Sequence, residues 1–129
     1  MKKSDTEKKW YDDIIINCPR VFSHLKHIEC EPGWHKLISS LSSIIESHIE
    51  YSIPDDIKDE IFALQIKEKF GGLRFYLNHS DPYINGAIRM AEEMSFTICT
   101  NCGNPPEKIK NQSSWIRTLC KPCFEKRIK

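Results

Sequence analysis

No run of apolar residues in this 129-residue chain approaches the ~18 needed to cross a bilayer. The opening stretch, MKKSDTEKKWYDD, is charged and lacks the apolar core of a secretion signal. A cytoplasmic protein without membrane association is therefore expected. Net charge is nearly absent as well, at +1. Internal repeats and low-complexity linkers are missing, which excludes solenoids and long tethers. The nucleotide-binding pattern GxxxxGK[ST] does not occur; the one Gly-Gly pair, in KEKFGGLRFY, is followed by a strand pattern rather than a helix. Histidine is missing from residues 99–129.

Cysteine, by contrast, is abundant for a protein expected in a reducing compartment: there are six. Four fall into two pairs, CTNC (Cys99, Cys102) and CKPC (Cys120, Cys123), with seventeen residues between the pairs. This C-x2-C-x17-C-x2-C spacing suits a tetrahedral zinc site. Two residues between thiolates let one tight turn aim both sulfurs at a single ion. Gly103 lets the backbone turn away past the second ligand. The second pair opens FEKRIK, which reads as a short helix. A knuckle, a ribbon and a helix bearing the last ligands describe a treble clef around one structural Zn2+. Four thiolates leave no open coordination position, so the ion is not expected to be hydrolytic.

The rest reads as helices packed on one hairpin, an α+β fold. Helical spacing from Trp10 to Cys18, with a capping box at Ser4 and Glu7, predicts a helix over 5–18; Ile14–Ile16 fits a short strand equally well. A short helical segment is conceivable near 20–28. Glu31-Pro32-Gly33 signals a turn. Trp34, Leu37, Ile38, Leu41, Ile44, Ile45 and His48 then predict a helix over 34–51, with Glu46 on the polar face. Asp55 or Asp56 is suited to cap a brief helical turn. Period-two alternation on both sides of Gly71-Gly72 predicts a hairpin. A turn at those two residues pairs Phe70 with Leu73, Glu68 with Phe75 and Ile66 with Leu77. Ser80-Asp81-Pro82 signals a helix running to about 96, with a capping oxygen ahead of Pro82 and Ile84, Ala87, Ile88, Ala91 and Met94 as its apolar stripe. Residues 1–97 form the helix-and-hairpin core. Residues 98–129 are expected to form the zinc module, docked by that last helix so that the whole makes one compact unit.

Here the module resembles the zinc finger of the DksA/TraR regulators of bacterial RNA polymerase, over residues 84–126. Those regulators carry a long coiled coil where this chain has a hairpin. The combination CEPGWHKLI, QIKEKFGGLRFY, CTNCG and TLCKPC, across 30–123, is similar to small uncharacterised proteins of phages and bacteria. That resemblance implies a phage or prophage source and a bacterial host cytoplasm, and no activity.

Three weaker patterns complete the reading. Phe70, Arg74 and Tyr76 are placed to form a recognition tip for a protein partner. Cys18, His24, His27, Cys30 and His35 cluster in sequence, and a second zinc site there is conceivable although the spacing is not standard. Residues 107–129 carry seven basic and two acidic side chains, a local charge of +5, against −4 for the remainder. Lys108, Lys110, Arg117, Lys121, Lys126 and Arg127, with Trp115 and Phe124, are candidates for phosphate and base contacts. No nucleophile, base and orienting group assemble by spacing, and no small-molecule substrate is evident. A non-enzymatic zinc protein that binds a host protein is thus the primary expectation, with nucleic-acid binding as the alternative.

Overall fold

A computed structural model describes residues 8–106 and 118–127. It is an α+β fold: helices with one two-stranded antiparallel hairpin and a C-terminal four-cysteine cluster. In chain order come α1 (Asp12–Asn17), a 3-10 turn (Pro32–Trp34), α2 (His35–Ser52) and a second 3-10 turn (Asp55–Glu60). Next are β1 (Ala63–Lys69), β2 (Gly72–Leu77), α3 (Pro82–Ser95) and α4 (Lys121–Arg127).

The first helix is shorter than its periodicity suggested, and Ser4 and Glu7 lie outside the described residues. Asp12 bonds back to the Lys9 amide at 2.9 Å, so the helix starts only there. Pro19 stops it. Residues 20–28 hold no regular helix. Their backbone goes elsewhere: the amides of Arg20 and Val21 donate to the Glu46 carboxylate at 3.0–3.1 Å. Glu46 is therefore a cap for a distant loop rather than a solvated face residue. Downstream, the same segment runs along β1 and covers its edge. Val21 O accepts from Ala63, Ile66 O accepts from Glu29, and Glu29 O accepts from Glu68.

Helix α2 buries Ile38, Leu41, Ile45 and Ile49 on one stripe, while Ile44 faces out. Trp34 at its start is fully enclosed, with Phe22, Ile14, Ile66, Leu73 and Ile84. Each such side chain contributes about 1.5–3 kcal/mol by leaving water. Against this core lies the inner face of the hairpin.

The hairpin register differs from the sequence expectation. Lys69 pairs with Gly72, Glu68 with Leu73, Lys67 with Arg74 and Ile66 with Phe75. The turn is Phe70-Gly71, with φ of 54° and 85° at the two positions. Both values are positive, as a hairpin turn of the primed kind requires. Gly72 is needed for another reason: a Cβ there would sit 2.5 Å from the Phe96 ring. The pairing shift moves every partner by two residues and so preserves which face each residue takes. Near the other end, a bulge between Ala63 and Gln65 turns Ala63 inward and leaves Leu64 exposed.

Helix α3 closes the β2 edge with side chains. Ser95 Oγ accepts from the Leu73 amide at 2.9 Å, and Glu92 accepts from the Phe75 amide at 3.1 Å. Ser95 is thus buried in place of the expected Met94, which is exposed. Of Ser80 and Asp81, it is Asp81 that caps α3, accepting from the Ile84 amide at 2.8 Å. Its second oxygen lies 2.7 Å from His48 Nε2 on α2, tying the two helices together. Burial works to raise the Asp81 carboxyl, but the Ile84 amide and the His48 ring outweigh it and hold it below its ordinary value.

Because folding lowers the Asp81 pKa, its stabilisation is complete above the ordinary carboxylate range and fades as pH falls through the folded value. Asp81→Ala should cost about 1–2 kcal/mol at neutral pH, and the gap should shrink in acid. Urea unfolding of both forms across pH checks this; a gap that widens in acid would contradict it.

Candidate metal centre

Cysteine ligands at the end of α3 require the chain to reverse at once, and it does. Cys99 O accepts from the Gly103 amide at 3.0 Å, and the Cys99 amide donates to Asn104 O at 2.7 Å. Gly103 sits at φ 88°, the left-handed conformation expected of it. This loop presents Cys99 and Cys102. Cys120 and Cys123 come from the start of α4 and its preceding residue. The four Sγ atoms all lie within 4.8 Å of one another. A tetrahedral ion with bonds of about 2.3 Å needs sulfurs roughly 3.8 Å apart. Four cysteines are therefore positioned to hold one metal ion. Any ribbon between the pairs falls on residues 107–117, outside those described.

The electrostatics agree with a cation. Burial pushes the Cys99 thiol up, yet backbone amides of Cys102, Cys120 and Asn101 outweigh it and bring it down to about 6. For Cys120 the Cys123 amide favours the thiolate, but burial and the neighbouring sulfurs of Cys102, Cys123 and Cys99 push it up to about 12. Four thiolates in one cluster repel one another, and a divalent ion would offset that charge. Asn101 Nδ2 adds a donor to Cys123 Sγ at 3.2 Å, stabilising negative sulfur further.

The module is fastened to the body by contacts that spacing did not reveal. Gly33 donates to Thr100 O at 2.8 Å, and the Trp34 indole donates to Ile98 O at 2.9 Å. Thr100 Oγ1 donates to Glu31 at 3.3 Å. A Cβ on Gly33 would lie 2.1 Å from Cys99 O and 2.6 Å from the Thr100 carbonyl, so only glycine fits. From the other side, Thr100 donates to Thr118 O at 2.9 Å, and the Thr118 hydroxyl donates to Gly71 O in the hairpin turn. The EPGW turn and the FGG turn thus grip one knuckle. In the sequence, EPG reads only as a turn; its glycine offered a signal, but nothing named its partner.

Other candidate residues are placed as follows. Phe70 is 61% exposed at the hairpin turn, Tyr76 is exposed, and Arg74 is half-buried with Nη1 donating to Leu73 O at 3.1 Å. Lys121 and Lys126 are exposed on α4, which also contains Arg127. Lys108, Lys110, Arg117 and Trp115 lie outside the described residues. The N-terminal Cys and His set is dispersed. Cys18 is buried in the core, His24 stacks on Phe62, His27 pairs with Glu29, and His35 pairs with Asp13. Burial also pushes Cys30 up to about 12, leaving it a neutral thiol. No described helix is long and apolar enough to cross a membrane. No protein-family model, curated protein or solved structure matches the chain. Function must therefore be argued from the geometry itself.

Purified protein should contain one metal ion per chain by elemental analysis. Binding competes with protons on four thiols, so release should occur as pH falls, never as it rises. Material that lacks the metal, or loses it only in alkali, would contradict the site. Gly33→Ala should also destabilise by about 3 kcal/mol or more, because the Cys99–Thr100 backbone leaves no room for a Cβ. Gly72→Ala should cost less, since the half-exposed Phe96 ring can turn away. Urea unfolding of the two variants orders them.

Proposed function

We propose that this chain is a non-enzymatic accessory protein, built on one structural Zn2+, that acts by docking its hairpin tip on a partner protein. The observation that carries this is Phe70. It is a large apolar residue, 61% exposed, held at φ 54°. The left-handed conformation costs a non-glycine residue about 1 kcal/mol or more, and asparagine or glycine would relieve it. Leaving that ring in water adds a second cost. Two costs at one residue are the mark of a contact used outside the chain. Lys69 Nζ stands 5.6 Å from the ring centroid, and Tyr76 and Arg74 extend the surface along β2.

Zinc is favoured as the ion because a closed set of four thiolates suits it, and iron–sulfur clusters are the other customary occupant. A closed set of ligands supports shape rather than hydrolysis. The resemblance of four motifs to small phage and bacterial proteins supports a phage-type role in a bacterial cytoplasm. A second reading, nucleic-acid binding, is supported by the exposed Lys121 and Lys126 on α4 within a segment of charge +5. With Arg127 and the basic residues before α4, they would meet phosphates.

Phe70→Asn separates binding from folding, because asparagine suits the turn at least as well. Its thermal stability should equal or exceed that of the parent. Proteins captured from bacterial lysate by the parent chain should be lost with Phe70→Asn. Identical captures by both would overturn the tip reading. Capture abolished by nuclease, together with a low-salt gel shift lost in Lys121→Glu/Lys126→Glu, would replace it with the second reading.

A further inference from the structure

Three of the four metal-site cysteines are sealed: Cys99, Cys120 and Cys123 expose 0%, 5% and 7% of their surface. Cys102 is different, being exposed. It lines an open cleft of about 450 Å³ formed by the EPGW turn, the start of α2 and the knuckle, with Gly33, His35, Lys36 and Asn104 around it. Its sulfur lies 3.5 Å from Cys120 Sγ. The set is therefore open to solvent at one residue, and the sulfur of that residue already touches a buried neighbour.

We propose that Cys102 is a site of oxidative modification by peroxides, and that its product is a Cys102–Cys120 disulfide. The balance is simple. The Cys102 thiolate attacks one peroxide oxygen; an S–O bond forms, the O–O bond breaks, and hydroxide leaves. The Cys120 thiolate then attacks the Cys102 sulfur; the S–S bond forms, the S–O bond breaks, and a second hydroxide leaves. Two thiolates lose two electrons in total, the peroxide gains them, and two protons from solvent convert both hydroxides to water. The 3.5 Å separation means that only a small motion joins the sulfurs at the disulfide distance of about 2.05 Å. Cys18 is not positioned to compete, because it is buried in the core. Cys99 and Cys123 alone then remain as ligands, too few for a four-sulfur ion. Loss of the ion loosens the knuckle, and with it the bonds from Thr100 to Gly33 and from Thr118 to Gly71.

The test uses the full chain loaded with Zn2+, its metal content verified first so that an absent metal site is recognised separately. Hydrogen peroxide is added at one equivalent per chain. Released zinc is read with a chromophoric chelator, and disulfides are mapped by mass spectrometry without reduction. The expected result is zinc release in step with a dominant Cys102–Cys120 linkage. Pulsed alkylation of untreated protein should label Cys102 first among the four. A dominant Cys99–Cys123 linkage, equal oxidation of all four, or oxidation confined to Cys18 and Cys30 with zinc retained would each overturn the proposal. Cys102→Ser removes a ligand as well as the reactive sulfur, so Asn104→Trp, which narrows the cleft and keeps all four ligands, serves as the second variant. It should slow zinc release several-fold, and an unchanged rate would count against access through the cleft.

Discussion

The contact on which this structure turns is backbone against backbone. Gly33 lies so close to Cys99 O and the Thr100 carbonyl that no side chain can intervene. It is held there by its own amide and flanked by the Trp34 indole bond. Such a fit leaves the knuckle one allowed position. The knuckle in turn keeps its shape because four sulfurs converge and Gly103 turns the chain between the pairs. Trp34 connects this arrangement to the core, being fully buried at the head of α2. Cys99, Cys120 and Cys123 pack with Leu119 as a small cluster of their own, and hydrogen bonds across the boundary at residue 97 join that cluster to the main core.

The hairpin tip belongs to the same network. Thr118, two residues before a metal ligand, reaches Gly71 O in the turn. Glu68 holds the Gly71 amide at 2.7 Å from within the hairpin. Together these bonds hold a turn in which Phe70 is kept at positive φ and in water. A two-stranded ribbon is marginal alone. Here α3 side chains cover one edge and the 20–30 segment covers the other, so the tip stands on a firm base. Rigid presentation of an apolar ring lowers the ordering cost that a flexible loop would incur on binding.

Much of this was legible in the sequence. Helix α2 and its apolar stripe, the capped start of α3, the hairpin and the four-cysteine cluster with Gly103 all follow from local patterns. What was not legible depended on tertiary partners. Two adjacent glycines suggested a Gly-Gly turn, whereas one glycine makes the turn and the other admits the Phe96 ring. Residues 20–28 looked faintly helical, but Glu46 and β1 offered their backbone better partners. Ser95, Glu92 and Glu46 read as ordinary polar positions, and each satisfies a distant amide. The spaced Cys and His residues near the N-terminus were drawn apart by core burial and by nearby carboxylates. Spacing identifies ligands that share a turn; it does not identify which glycine another backbone will touch.

One bound ion should fix the knuckle, and the knuckle both turns bonded to it. Amide hydrogen exchange, measured residue by residue on metal-loaded and chelated protein, reads this at each bond. Removing the ion should strip protection from the Gly33 and Thr100 amides and from the hairpin turn, while the middle of α2 stays protected. Unchanged protection at Gly33 after complete metal removal would contradict it.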